Sequence, residues 1–295
     1  MTHTQAVQID APGGGRLAAV VTRPASQPAA AVLLCPALGV PAQYYAPFCR
    51  HLAELGVAVV AADLRGQGAS TPRAGRAARH GYHVLASQDL PAWVAWTKKS
   101  LGPSTPLYVL GHSLGGQVSV HYSALAMGGV DGLVLVAAGS VDYRGFSGAS
   151  RLKVLLGTHA AASIATLVGY WPGHLLGFAG RQPARLMRDW ARIARTGRFF
   201  PEKADIDYEA LLADVRLPTL AVSLAGDTLA PPDAVDRLCA KIPASDVERW
   251  HYEPEEESKA DHIRWARDGR EIAARVQAWT TSRGKLTQQG LPGDE

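Results

Sequence analysis

The chain has 295 residues, of which 47% are hydrophobic and 19% are charged, with a formal net charge of +4. This composition is typical of a globular protein with a substantial core, and it argues against a disordered chain. The positive charge is spread along the sequence, so nucleic-acid binding is not indicated. No apolar run approaches the roughly 20 residues of a spanning helix, and the first residues carry no secretory signal. We therefore expect a cytoplasmic protein without integral membrane association.

The apolar pattern alternates between strands and helices along most of the chain. After a predicted N-terminal hairpin (6–10 and 17–22), the predicted elements are, in order, strand 29–35, helix 45–55, strand 57–62, helix 90–101, strand 107–110, helix 115–127, strand 133–137, strand 219–224, helix 231–242, strand 247–252 and a last helix over 265–279. The strands are continuous apolar runs, which is typical of parallel strands buried on both faces. The sequence therefore predicts an α/β fold with a mostly parallel, doubly wound sheet.

The alternation is interrupted between Gly139 and Pro218, where helical periods occur without a strand of the buried type. We expect residues 1–139 and 218–282 to form the core domain, and residues 140–217 to form a helical cap inserted into it. Residues 283–295, rich in Gly, Gln and Pro, are expected to be a flexible tail.

The predicted strand 107–110 leads into Gly111-His112-Ser113-Leu114-Gly115, a G-x-S-x-G motif. In this motif the serine lies at a sharp turn between a strand and a helix, and the glycines allow neighbouring backbone to pass close to it. The hydroxyl then projects at the start of a helix, whose dipole favours negative charge. We therefore interpret Ser113 as a catalytic nucleophile.

A serine nucleophile needs a histidine base and a carboxylate that orients it, and in hydrolases with this motif the acid precedes the histidine. Asp227 follows the predicted strand 219–224 and is our candidate acid, with Asp142 as the alternative. His262 follows the last predicted strand by a loop and is our candidate base. The alternative, His251, lies within that strand, where its side chain is committed to a face of the sheet.

The oxyanion of an acyl-transfer intermediate requires two hydrogen-bond donors. One is expected to be the backbone N–H of Leu114, directly after the nucleophile. The second is expected from the loop after strand 29–35, where we choose the N–H of Leu38 because Ala37 and Gly39 allow close backbone approach.

Neither the cysteines nor the clustered histidines of the sequence indicate a metal or another cofactor. Cys35, Cys49 and Cys239 are odd in number and lack metal-ligand spacing, so we interpret them as thiols in a reducing compartment. His80 and His83 are three residues apart but have no acidic or cysteine ligands beside them, and we expect both on the surface.

With these residues assigned, the sequence resembles the α/β-hydrolase superfamily over nearly its whole length. Besides the serine motif, residues 63–70 (DLRGQGAS) match a D-x-R-G-x-G-x-S turn that is common in the family, which implies a structural role for Asp63 and Arg65. The likeness is closest to serine-aminopeptidase-like and lysophospholipase-like bacterial hydrolases, including the segment Tyr170–Gly173 (YWPG). Many of these relatives have His-Gly where this chain has Pro36-Ala37.

These interpretations predict a serine hydrolase that cleaves a carboxylic ester, or a related acyl bond, of a small to medium and partly apolar substrate. Two alternatives remain open at this stage. The same residues could pass an acyl group to an alcohol or thiol instead of water. The fold could also serve a non-catalytic ligand-binding protein, because a fold does not determine a function.

Overall fold

A computed structural model describes residues 1–254 and 261–289 of the chain. In these residues the strands are, in chain order, β1 (His3–Asp10), β2 (Arg16–Arg23), β3 (Ala30–Cys35), β4 (Val57–Ala62), β5 (Leu107–His112), β6 (Gly132–Val136), β7 (Tyr170–Pro172), β8 (Arg181–Pro183), β9 (Thr219–Leu224) and β10 (Val247–Tyr252). The α-helices are α1 (Ala46–Glu54), α2 (Tyr82–Val84), α3 (Leu90–Leu101), α4 (Leu114–Ser123), α5 (Gly148–Val168), α6 (Gly173–Leu176), α7 (Ala184–Thr196), α8 (Tyr208–Leu212), α9 (Pro232–Cys239) and α10 (Arg270–Gln289).

Eight of these strands form one sheet in the order β1-β2-β4-β3-β5-β6-β9-β10. The pairs β1–β2 and β2–β4 are antiparallel, and all other neighbours in this sheet are parallel. Every residue of β3, β4, β5, β6 and β9 is buried, because packed elements cover both faces of the sheet. The predicted α/β class with a mostly parallel sheet is therefore confirmed.

Two apolar cores lie on opposite faces of this sheet. On one face, Phe48 of α1 and Val276 of α10 belong to the same buried cluster. On the other face, the cluster includes Trp93 of α3, Val118 of α4 and Leu238 of α9. Because neighbouring strands from β4 to β10 are parallel, their carboxyl ends lie along one edge of the sheet, where ligands bind in open α/β folds.

The chain leaves the sheet after β6 and returns to it at β9. In between, α5 and α7 pack around a third apolar cluster that includes Ala165, Trp171 and Met187. The segment also contains a two-stranded antiparallel sheet of β7 and β8, which the sequence pattern did not predict. Strands of three residues are too short to produce a recognisable alternation of apolar and polar positions.

The C-terminal part differs from the sequence-based expectation in two details. Trp265 lies in a separate 3-10 turn, Arg264–Arg267, ahead of α10 instead of within the last helix. Helix α10 continues to Gln289, beyond the start expected for the tail at residue 283, and residues 290–295 lie outside the described residues. Among the residues described, each helix is too short or too polar to cross a membrane.

The expectation that His80 and His83 lie on the surface is wrong for His80. Its side chain is buried, and this desolvation lowers its pKa to about 4. His83 is half-buried, and its Nδ1 atom lies 3.0 Å from the Tyr208 hydroxyl oxygen. Both residues belong to the segment that leads into α3. This segment contacts residues 140–217 through the Tyr82 N–H, which donates to the Asp189 Oδ2 at 3.3 Å. The local sequence does not reveal this contact.

Candidate active site

Ser113 occupies the sharp turn between β5 and α4, with φ of 54° and ψ of −118°. This left-handed backbone conformation costs free energy for a non-glycine residue and is held by the packing around it. The flanking glycines are required sterically. A Cβ atom on Gly111 would lie 2.3 Å from the Gly116 Cα, and one on Gly115 would lie 2.0 Å from the Cys35 carbonyl oxygen. The G-x-S-x-G spacing therefore allows β5, α4 and the end of β3 to meet at Ser113.

The structure brings Ser113, His262 and Asp227 into one hydrogen-bonded chain. The Nε2 atom of His262 lies 2.9 Å from the Ser113 Oγ, and its Nδ1 atom lies 2.8 Å from the Asp227 Oδ2. A neutral imidazole that donates its Nδ1 proton to the carboxylate is left with Nε2 as an acceptor for the serine hydroxyl. This arrangement allows His262 to remove the proton of Ser113.

Asp227 is fixed by its own backbone surroundings in the turn after β9. Its Oδ1 atom accepts hydrogen bonds from the N–H groups of Leu229 and Ala230, at 2.8 Å and 2.9 Å. Its second oxygen, Oδ2, contacts His262. Because the carboxylate is buried, water does not compete with His262 for this oxygen. A buried carboxylate held in this way can stabilise a positive charge that develops on the imidazole.

The alternative acid and base are placed elsewhere. Asp142 accepts hydrogen bonds from the side chains of Arg144 and Arg237, at 3.0 Å and 2.9 Å, near the start of the insertion. His251 lies on β10 with its Nδ1 atom 2.9 Å from the Ser223 Oγ. Neither residue is hydrogen-bonded to Ser113 or to His262 in the part of the chain described.

The two candidate oxyanion donors belong to residues that line the same cavity as Ser113. Leu114 is the first residue of α4, and Leu38 lies in the loop after β3. The loop around Leu38 is held on both sides. The N–H of Ala37 donates to the Tyr45 hydroxyl oxygen at 2.9 Å, and the N–H of Gly39 donates to the Gln67 Oε1 at 2.6 Å.

A buried hydrogen-bond network, which sequence reasoning missed, connects this loop to the candidate base. The Tyr45 hydroxyl accepts from the Ala37 N–H, so its own proton is directed to Nδ1 of His112, at 2.7 Å. The Nε2–H of His112 then donates to the backbone carbonyl oxygen of His262, at 2.7 Å. Complete burial lowers the pKa of His112 well below its usual range, which keeps the ring neutral and able to both accept and donate.

The turn that carries the D-x-R-G-x-G-x-S pattern supports the same loop. The Asp63 carboxylate accepts hydrogen bonds from the N–H groups of Ala42 and Ala69, at 2.7 Å and 2.8 Å. Arg65 forms a buried ion pair with Asp89. These contacts join the segments after β3 and β4 and place Asp63 and Arg65 in the scaffold instead of among the reacting groups.

Ser113 and His262 open into a cavity of about 580 Å³ between the sheet and the insertion. Its walls are mainly apolar, with contributions from Val141, Phe146 and Trp190 among others. The described residues contain no group of three or more His, Cys, Asp or Glu side chains that could hold a metal ion. The cavity is therefore suited to an apolar organic group next to the serine hydroxyl.

Comparisons with solved structures show the same fold in proteins of low sequence identity. A carboxyl esterase from Bacillus coagulans matches with a TM-score of 0.67 and 16% identity, over 95% of this chain and 99% of that one. An esterase from Pyrococcus furiosus matches at 0.58 and 18% identity, over 94% and 91%. A thioesterase domain from the curacin biosynthetic pathway matches at 0.59 and 16% identity, over 95% and 99%.

The sequence itself identifies the family. No curated protein resembles the chain closely enough in sequence to count as a match. The profile of the family described as "Serine aminopeptidase, S33" matches residues 26–254, which covers most of the chain and includes the serine motif and Asp227. The chain therefore belongs to the serine aminopeptidase S33 family of α/β-hydrolases and is an α/β-fold serine hydrolase.

Proposed function

We propose that the protein hydrolyses a carboxylic ester of a small to medium, partly apolar substrate through an acyl-enzyme intermediate. The observation that carries this proposal is the hydrogen-bonded chain from Ser113 through His262 to Asp227, at 2.9 Å and 2.8 Å. It combines a nucleophile, a base and an orienting carboxylate within hydrogen-bond reach of one another. The apolar cavity beside Ser113 supports an apolar acyl or alcohol group.

In the first half of the proposed reaction, His262 Nε2 removes the hydroxyl proton of Ser113 as Oγ attacks the carbonyl carbon of the ester. The N–H groups of Leu114 and Leu38 stabilise the oxyanion that forms, and the positive N-terminal end of α4 favours the same charge. The intermediate collapses when the C–O bond to the alcohol breaks. The imidazolium returns its proton to the departing alcohol, and the acyl group remains on Ser113.

In the second half, a water molecule replaces the alcohol. His262 removes one proton from the water as its oxygen attacks the acyl carbon, and the same two N–H groups stabilise the second oxyanion. The bond to the Ser113 Oγ then breaks and the serine recovers its proton from His262. Asp227 holds the Nδ1–H throughout and stabilises the imidazolium in each half. The reaction requires no cofactor.

The cavity favours an ester over the free amino terminus of a peptide. An aminopeptidase must bind the α-ammonium group, for which a carboxylate is the usual partner. The described lining residues include no Asp or Glu, and one of them, Lys153, is cationic. The family description of the chain therefore agrees with the proposed chemistry of the nucleophile, while the lining supports a neutral ester carbonyl as the reacting group.

We further propose that residues 140–217 act as a cap over this site. The cavity is lined by Phe146, Thr158 and Trp190 from this segment on one side, and by Ser113 and His262 from the core on the other. A cap in this position would shape the acyl-binding side of the cavity. The buried free thiols of Cys35, Cys49 and Cys239 support the further proposal of a reducing, cytoplasmic compartment.

The test is a comparison of p-nitrophenyl esters of increasing acyl length with peptide substrates, using wild-type protein and a Ser113→Ala variant. We expect short and medium acyl esters to be the faster substrates, and Ser113→Ala to lower kcat by about 10⁴-fold or more. Ser123→Ala, at the other end of α4, is the matched control and should keep its activity. Equal activity of the Ser113→Ala variant, or faster turnover of charged peptides, would contradict the proposal.

A further inference from the structure

Among the described residues that line the cavity beside Ser113, one side chain is formally charged in addition to the titratable His262. The described lining includes Lys153, on α5, and no Asp or Glu. Four further residues of α5 line the same wall at helical spacing, namely Val154, Gly157, Thr158 and Ala161. Because Lys153 lies on this face and eight residues before Ala161, its Cα is about 12 Å from that of Ala161 along the helix axis. Lys153 therefore lies at the N-terminal end of an otherwise uncharged helix face.

Lys153 is an exposed residue of α5. Among the described side chains, no hydrogen bond or ion pair involves its ammonium group. Its neighbour Arg151, in contrast, packs its guanidinium over the Tyr143 ring at 5.5 Å. A lysine with an internal role at this position would be expected to pair with a nearby carboxylate.

The sequence near Lys153 contains no free carboxylate that could pair with its ammonium group. No Asp or Glu occurs between Asp142 and Asp189. Asp142 is already paired with Arg144 and Arg237, and Asp189 is buried, where it accepts a hydrogen bond from the Glu202 N–H at 2.7 Å. Among the described residues, the edge of the cavity at Lys153 therefore carries a positive charge without a carboxylate partner.

We propose that Lys153 recognises an anionic group at the far end of the substrate, so that the preferred ester carries an apolar chain ending in a carboxylate or a similar anion. This inference rests on the proposed ester hydrolysis at Ser113 and adds the charge class of its substrate. Apolar walls with a few placed polar groups are the usual basis of orientation in ligand sites. An ammonium group at one end of the wall would fix which end of an amphiphilic substrate faces Ser113.

The expected effect is modest because the ammonium group is exposed. Exposed ion pairs are weak, so we expect about a fivefold preference in kcat/KM for an anionic ester over its neutral counterpart. The preference should appear mainly in KM, because in the proposed binding mode the anion is at the opposite end of the substrate from the reacting carbonyl and contributes equally to the ground and transition states. It should decrease with added salt, since salt screens exposed charges.

The experiment compares two pairs of esters that differ in one negative charge. In the first pair the charge is on the acyl side: mono-p-nitrophenyl suberate against its methyl-capped diester. In the second pair the charge is on the alcohol side: the butyrate ester of 4-hydroxybenzoate against that of methyl 4-hydroxybenzoate. A preference for the charged member of either pair, abolished by Lys153→Gln and inverted by Lys153→Glu, supports the proposal and identifies the half of the substrate that reaches Lys153.

Lys99→Gln, on the exposed side of α3, is the matched control because it removes the same charge away from the cavity and should leave both ratios unchanged. The proposal is overturned if Lys153→Gln has the wild-type ratios in both pairs. Hydrolysis of the neutral esters distinguishes a wrong assignment of Lys153 from a wrong assignment of the reaction at Ser113. If they are hydrolysed in a Ser113-dependent way without any charge preference, only the role of Lys153 is wrong. If no ester is hydrolysed through Ser113, both proposals are wrong.

Discussion

Replacing Tyr45 by Phe removes a single hydroxyl from the buried network beneath the active site. That hydroxyl is the acceptor for the Ala37 N–H, at 2.9 Å, and the donor to Nδ1 of His112, at 2.7 Å. Both partners are buried, so the variant leaves one donor and one acceptor without a hydrogen bond. An unsatisfied buried polar group costs about 1–3 kcal/mol, so we expect the free energy of unfolding to fall by about 3 kcal/mol.

The same substitution should also lower activity, because Ala37 directly precedes Leu38 and His112 supports the backbone of His262. A small displacement of either group moves a proposed oxyanion donor or the proposed base, and misplacements of about 1 Å can cost on the order of 100-fold in rate. We expect kcat on a p-nitrophenyl ester to fall by about tenfold or more, with little change in KM.

Urea unfolding followed by circular dichroism, together with steady-state kinetics, would measure both effects of Tyr45→Phe. Tyr44→Phe is the control, because Tyr44 is the neighbouring and only half-buried tyrosine. A Tyr45→Phe variant that unfolds at the same urea concentration as the wild type and has the same kcat would show that the network supports neither the loop nor His262.

Three further predictions concern acid stability, the serine turn and the orienting carboxylate. Burial lowers the pKa of His80 to about 4 and that of His121 to about 3. It also lowers the pKa of His112 well below the usual range. Near pH 5 the unfolded chain therefore binds three protons that the folded protein does not. Burial also raises the pKa of Asp189, to about 6, and the pKa values of Asp63 and Asp89, which offsets part of this difference. As the pH falls through 5, the free energy of unfolding should therefore decrease, by at most roughly 3 kcal/mol per pH unit, and equal urea stability at pH 7 and pH 5 would contradict this. Gly115→Ala places a Cβ 2.0 Å from the Cys35 carbonyl oxygen and should abolish folding or activity, whereas Gly157→Ala meets nothing within 4 Å and should yield soluble protein. Asp227→Asn should fold normally and lower kcat by about 10⁴-fold, because an amide no longer favours the required tautomer of His262. Wild-type kcat in that variant would remove Asp227 from the mechanism.

The sequence was sufficient to predict the sheet and the three residues that meet at its carboxyl edge. Ser113 is recognisable because the steric needs of its turn are local and dictate glycines two positions away on both sides. Asp227 and His262 could be placed because each follows a strand, and the carboxyl ends of parallel strands share one edge.

The remaining features depend on packing between distant segments. Tyr45, His112 and His262 are separated by 67 and 150 residues along the chain, so no local pattern could reveal their network. The burial of His80 depends on what packs over the segment before α3. Whether Lys153 faces solvent alone or also the cavity depends on how α5 lies across the core. Such contacts follow from tertiary packing, which periodicity does not encode.

In the proposed mechanism, Ser113 is a nucleophile that His262 activates. Labelling with a fluorophosphonate probe, followed by peptide mass spectrometry, measures this activation at the serine itself. We expect modification of Ser113 in the wild-type protein and loss of that modification in a His262→Ala variant that remains folded. Modification of a different serine, or no modification of folded wild-type protein, would contradict this mechanism.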